Sequence, residues 1–203
     1  TAGVVFLIAA VAILYVWAGR FRDRIAPNVF VADIEVSGMD PEAARILVQE
    51  HIDALLLNGV IVNTRVESAT LPLTALVGTD LIEDVQFYPA GTLEAAARVY
   101  HRQNDFLDAL TLTKSFFGAT HLEIPVTMNR DKIEQMLTVL FKHVPTSAKN
   151  PSFVFEKDTV NMEPGQTGYT YEINTFMRTL EMRMRTLDAR AIELGLRIQE
   201  PAF

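Results

Sequence analysis

Residues 3–19 read GVVFLIAAVAILYVWAG, a run with no charge and no strongly polar side chain. As a helix it spans about 26 Å at roughly 1.5 Å per residue, near the lower limit for crossing a bilayer. Tyr15 and Trp17 fall where an aromatic belt would lie, and Arg20, Arg22 and Arg24 follow. No small-residue cleavage site closes the run, and bulky Tyr15-Val16-Trp17 precedes its boundary. The pattern predicts an uncleaved transmembrane anchor with a short exit linker over residues 1–27, in contact with the lipid bilayer through residues 3–19. A buried core helix and a removed signal peptide are the alternatives. The arginines on the C-terminal side favour a cytoplasmic folded domain; a basic tail upstream of Thr1 would reverse that, and the run alone leaves the side open.

The chain carries a net charge of −7 and a pI near 5.1. No basic stripe is present, which argues against nucleic acid and against tight docking on anionic lipid. There is no cysteine among the 203 residues, so disulfides, thiolate nucleophiles and cysteine metal sites are excluded.

Beyond the anchor, VFVADIEV (29–36) alternates as a strand. Asp40 fits a helix N-cap and Pro41 the first helical position, opening a helix to about Leu57. Asn58-Gly59 stops it, and 59–67 and 69–77 read as strands paired around Ser68. Thr92 fits the cap of a helix over 93–102, and a further helix is expected over 105–117. Asn129 caps a helix whose stripe is Ile133, Met136, Leu137, Leu140 and Phe141. Strands follow at 152–156 and 158–164. EPGQTGYTY (163–171) reads as a bend into a helix over 171–187, with Thr170 as cap and Gly165 and Gly168 supplying positive φ or close approach. A strand over 191–199 closes the chain. The expected class is α+β: an N-terminal transmembrane helix, then a mixed, largely antiparallel sheet packed with amphipathic helices over 28–203. A sub-domain division near 119 stays open.

The sequence contains no G-x-S-x-G, H-E-x-x-H, P-loop or G-x-G-x-x-G motif. The four histidines, His51, His101, His121 and His143, show no i+3 or i+4 pairing, so no metal site is expected. His51 reads as a half-buried structural side chain on its helix stripe, and His143 sits near a helix C-terminus, where the dipole favours a cation. No catalytic residue and no cofactor is expected. Tyrosines offer a different chemistry, an apolar face for a sugar ring with a polar tip. Tyr88, Tyr100, Tyr169 and Tyr171 are candidates for that role, Tyr100 and Tyr169 foremost, and Arg102, forked with Arg98 in RVYHRQNDF (98–106), is a candidate for gripping a carboxylate. Ordinary packing and a capped helix junction are the competing readings.

Taken in order, IEVSGMDPEAA, IPVTMNRDKIEQMLTVL and PTSAKNPSFVFEKDTVNMEPGQTGYTYEI, then a helix leading to a strand before Pro201, form a recognisable series. The chain resembles the peptidoglycan-binding domain family found upstream of VanW-type domains and in the N-terminal region of some bacterial L,D-transpeptidases. The resemblance spans about 28–201. The family's middle segment is matched only by AAARVYHRQND, without its glycines. The resemblance implies a non-catalytic module, outside the cytoplasm, that binds cell-wall peptidoglycan or spaces a partner domain from the membrane. The anchor would then run N-in, which requires basic residues upstream. The alternative is a structural or interaction subunit of a membrane-anchored surface assembly, with envelope proteins as partners and no carbohydrate ligand.

Overall fold

The computed structural model describes residues 2–77, 80–99, 113–116, 118–143, 148–156 and 159–201. In chain order the elements are α1 (Ala2–Gly19), β1 (Val29–Val31), β2 (Ile34–Glu35), α2 (Pro41–Asn58), β3 (Val60–Asn63), β4 (Ser68–Leu71), β5 (Thr74–Val77) and β6 (Asp80–Glu83). There follow β7 (Val85–Phe87), α3 (Pro89–Arg98), a 3-10 turn (Thr113–Phe116), β8 (Thr120–Leu122), β9 (Val126–Met128), α4 (Arg130–Leu140), β10 (Ser152–Glu156) and β11 (Thr159–Glu163). The chain ends with β12 (Gly168–Tyr171), α5 (Ile173–Arg185), β13 (Ile192–Glu193) and β14 (Leu196–Gln199). This is an α+β fold, but the expected mixed sheet is several separate sheets of two or three strands. The strands are only two to five residues long, so one or two neighbours satisfy each and no wide sheet forms among the described residues.

The chain divides into two compact units, interleaved along the sequence. The first gathers Thr1–Leu55, Gln86–Thr127 and Met184–Asp188. Within it β1 pairs antiparallel with β2 and parallel with β8, Val29 facing Thr120 and Val31 facing Leu122. Helix α2 starts as its sequence dictates: the Asp40 carboxylate accepts from the Glu42 N–H at 2.9 Å, with Pro41 behind it. Its buried stripe is Ala44, Val48, Ile52 and Leu55. Ser37 accepts from the Val29 N–H at 3.2 Å and pins the intervening loop. His51 is exposed rather than half-buried, its Nδ1 donating to the Leu47 carbonyl at 2.8 Å. Helix α3 begins at Pro89, before Thr92, so Thr92 is not its cap. The Thr92 hydroxyl is turned inward and donates to the Glu123 carbonyl at 3.0 Å. The helix expected over 105–117 falls largely outside the described residues.

Helix α1 lies where the anchor is expected. Among the described residues no helix is long and apolar enough to cross a membrane, so a membrane span is not something the structure shows. Several α1 side chains, Val4, Leu7, Ile8 and Val11 among them, lie outside the described set. Phe6 and Val16, which are described, are exposed.

The second unit gathers Leu56–Val85, Met128–Arg183 and Ala189–Phe203. Its buried apolar residues include Val60, Val62, Leu71, Ile133, Leu137, Phe141, Phe176 and Leu180. Asn129 caps α4, its side chain accepting from the Lys132 N–H at 3.2 Å. β3 pairs antiparallel with β4 and parallel with β13, while β5 turns back on β6. The expected hairpin around Ser68 is therefore displaced. The turn is Thr64–Glu67, and Thr74–Val77 belongs to a different pair. Gly59 permits the entry to β3 with φ +67°, and a Cβ there would lie 2.5 Å from the Leu71 carbonyl oxygen. Asp84, with a side chain only 2% exposed, has its Oδ1 3.0 Å from Lys132 Nζ. That oxygen makes no hydrogen bond, so the contact is an ion pair and Lys132 supplies the compensating charge.

EPGQTGYTY also differs from its reading. Gly168–Tyr171 is strand β12, antiparallel to β14, so Thr170 lies in a strand and does not cap α5. The helix starts at Ile173, and the Glu172 carbonyl accepts from the Phe176 N–H at 3.1 Å. Neither Gly165 nor Gly168 has positive φ. Gly165 is set by close approach: a Cβ would lie 3.0 Å from Pro151 and 3.1 Å from Pro201.

Candidate functional site

Within the second unit an open groove of about 460 Å³ is built from three short pieces of chain. Strands β12 and β14 supply its apolar face. Tyr169 pairs directly with Ile198, and Tyr171 with Leu196, so these side chains share one side of the ladder. Tyr169 is 41% exposed and Ile198 59% exposed, where a ring and a branched aliphatic chain would ordinarily be covered. Tyr169, Leu196 and Ile198 line the groove together with Val66.

The β3–β4 turn supplies the second piece. Thr64 is buried, and its hydroxyl accepts from the Glu67 N–H at 3.0 Å and the Val66 N–H at 3.4 Å while donating to the Glu67 carbonyl at 2.8 Å. With the polar groups of the turn satisfied inward, Arg65, Val66 and Glu67 project outward, all exposed. Arg65 and Glu67 join the groove lining.

The third piece follows α4. The Tyr171 hydroxyl donates to the Phe141 carbonyl at 2.5 Å, and the two rings meet edge-on at 6.4 Å. This ties β12 to the end of the helix and places His143, two residues on, on the groove wall. Burial pushes the Tyr171 hydroxyl up to about 12, with the negative charge of Glu67 adding to the shift. Tyr171 is thus held neutral as a hydrogen-bond donor to the Phe141 carbonyl.

Of the residues singled out in sequence, Tyr169 lies in the groove. Tyr100 and Arg102 lie outside the described residues. Sequence reading missed Arg65, Glu67, Leu196 and Ile198 as site residues, and took His143 only as a helix-end cation. The available signal was the Asn-Thr start of NTRVE, a turn-forming pair, with an apolar valine stranded at its tip. Elsewhere a serine hydroxyl and a histidine ring have structural partners. Ser37 is bonded to Val29, and His121 stacks on Phe30 at 4.8 Å. Among the described residues no group of three or more histidine, aspartate or glutamate side chains could hold a metal ion.

The groove thus offers an aromatic and aliphatic face edged by polar groups. Compared with protein families, residues 90–193 match the one titled "Putative peptidoglycan binding domain", which is just over half of the chain. The chain belongs to this family. The match takes in Tyr169 and His143 but ends before Leu196 and Ile198, and the Arg65 turn precedes it. No curated protein and no solved structure matches the chain.

Proposed function

We propose that this chain is a non-catalytic, membrane-tethered module that holds cell-wall peptidoglycan in the groove at Tyr169. The observation that carries the reading is the exposed, directly paired Tyr169–Ile198 platform in a member of a peptidoglycan-binding family. A sugar ring presents an apolar C–H face and a rim of hydroxyls. A half-exposed tyrosine beside isoleucine, with arginine, glutamate and histidine at the edge, complements both.

Tethering is supported by the uncharged run at 3–19 and by the exposure of Phe6 and Val16 in α1, whose natural neighbour would be lipid. In this reading the anchor runs N-in and the folded units face the wall. The resemblance to domains accompanying VanW-type modules supports a role that includes spacing a partner domain from the membrane.

The test is retention of the full chain, in detergent micelles, on purified sacculi. The expected result is pelleting that Tyr169→Ala reduces without altering the circular dichroism spectrum. A folded parent chain that stays in the supernatant would remove wall binding. A second reading, an interaction subunit without carbohydrate ligand, draws on the β10–β11 hairpin. There Phe153 and Met162 face each other and are each 64% exposed. Stable self-association by native mass measurement, with no sacculus retention, would favour it.

A further inference from the structure

A neutral glycan needs only a stacking face and hydroxyl partners, yet this groove also carries an arginine and a histidine. Arg65 comes from the β3–β4 turn and His143 from beyond α4, and neither forms an ion pair with any described residue. Among the described residues Glu67 is the single carboxylate on the lining. In a chain of net charge −7, an arginine stands at the rim of an apolar groove with no ion-pair partner among the described residues. Arginine presents a planar fork of N–H donors matched to a carboxylate. The turn that carries Arg65 is braced by the buried Thr64 hydroxyl, so its backbone is pre-organised in the absence of ligand. An apolar face with an arginine at its rim suits an amphiphile that has both a C–H surface and a free carboxylate.

We infer that the groove recognises a carboxylate-bearing muropeptide, the sugar with its peptide stem, rather than the neutral glycan strand. Tyr169 and Ile198 take the apolar surface and Arg65 takes the stem carboxylate. This rests on the groove being the wall-binding site proposed above. The full chain in detergent micelles is titrated calorimetrically with three soluble probes: a disaccharide–tripeptide with free carboxylates, the same compound with its carboxylates amidated, and neutral chitotetraose.

The free acid is expected to bind about tenfold more tightly than the amide. Arg65→Gln should erase that difference by lowering the free acid's affinity more than the amide's. Equal affinity of the parent chain for acid and amide overturns the inference, as does an equal loss for both in Arg65→Gln. The two levels of the argument separate cleanly. Loss of all probes in Tyr169→Ala with no discrimination of charge keeps the groove and discards the carboxylate. Unchanged affinity for the free acid in both Tyr169→Ala and Arg65→Gln removes the groove from wall binding altogether.

Discussion

Two loops in this chain use the same device to opposite ends. In the first unit the Ser37 hydroxyl accepts from the Val29 N–H and donates to its carbonyl, and the flanking residues Ile25, Val29 and Val36 are wholly buried. In the second unit the Thr64 hydroxyl satisfies the Val66 and Glu67 N–H groups, yet Val66 is left 77% exposed. A hydroxyl clamp relieves a loop of its polar obligations; it does not decide where the apolar side chains go. In the Ser37 loop apolar residues are buried and stabilise the fold. In the Thr64 loop an apolar residue stands in solvent beside an aromatic platform, which folding alone does not explain.

The comparison can be broken at several places. The largest effect is expected in Phe141→Ala, which empties a fully buried site in contact with Tyr171. It should lower stability by about 4 kcal/mol, read by denaturant unfolding, and weaken sacculus binding with it. If stability falls and binding persists, the groove does not depend on that contact. Lys132→Met strands the buried Asp84 carboxylate and is expected to cost roughly 3 kcal/mol. A loss below about 1 kcal/mol would place this contact with ordinary surface pairs.

Thr64→Val removes the clamp while keeping the side chain's shape. About 2 kcal/mol of stability should be lost, together with sacculus retention. Ser37→Ala should lose about 1 kcal/mol and leave retention unchanged. Equal effects of the two on binding would erase the distinction between the loops.

Tyr171→Phe gives up one hydrogen bond, about 1 kcal/mol, and also changes the alkaline behaviour. The folded-state value of about 12 lies above the ordinary value of 10.0. The neutral hydroxyl is therefore the form favoured by folding. Its contribution is whole below pH 10 and is lost as pH rises through about 12. The parent chain should lose stability across that window more steeply than the Phe variant. The smallest stability effect, within about 0.5 kcal/mol, is expected for Val66→Ser, because the side chain is already in solvent. A clear drop in sacculus retention from so neutral a change would separate binding from folding most sharply.

The helical part of this fold was readable in advance because its causes are local. Asp40 and Asn129 cap the helices expected of them, since a cap needs only an N–H two or three residues away. The buried residues Ile133, Leu137 and Phe141 repeat at the spacing of one helix face. Thr92 and Thr170 misled because a hydroxyl before an apolar run suits either a cap or a tertiary contact. Thr92 found the Glu123 carbonyl, and Thr170 a place in a strand.

The sequence by itself therefore determined where α2 and α4 start, the buried face of α4, the uncharged run at 3–19 and the absence of cysteine chemistry. Only the tertiary structure decided which strands pair. Val62 lies beside Ile192, and Asn63 bonds to Glu193 across 130 residues of sequence. The same long-range pairing sets Tyr169 against Ile198, bringing an aromatic noticed in sequence together with an aliphatic partner that was not. The physical reason is range. Helix bonds close within four residues, whereas a strand edge accepts any partner that leaves the right face buried, and the groove exists only once that choice is made.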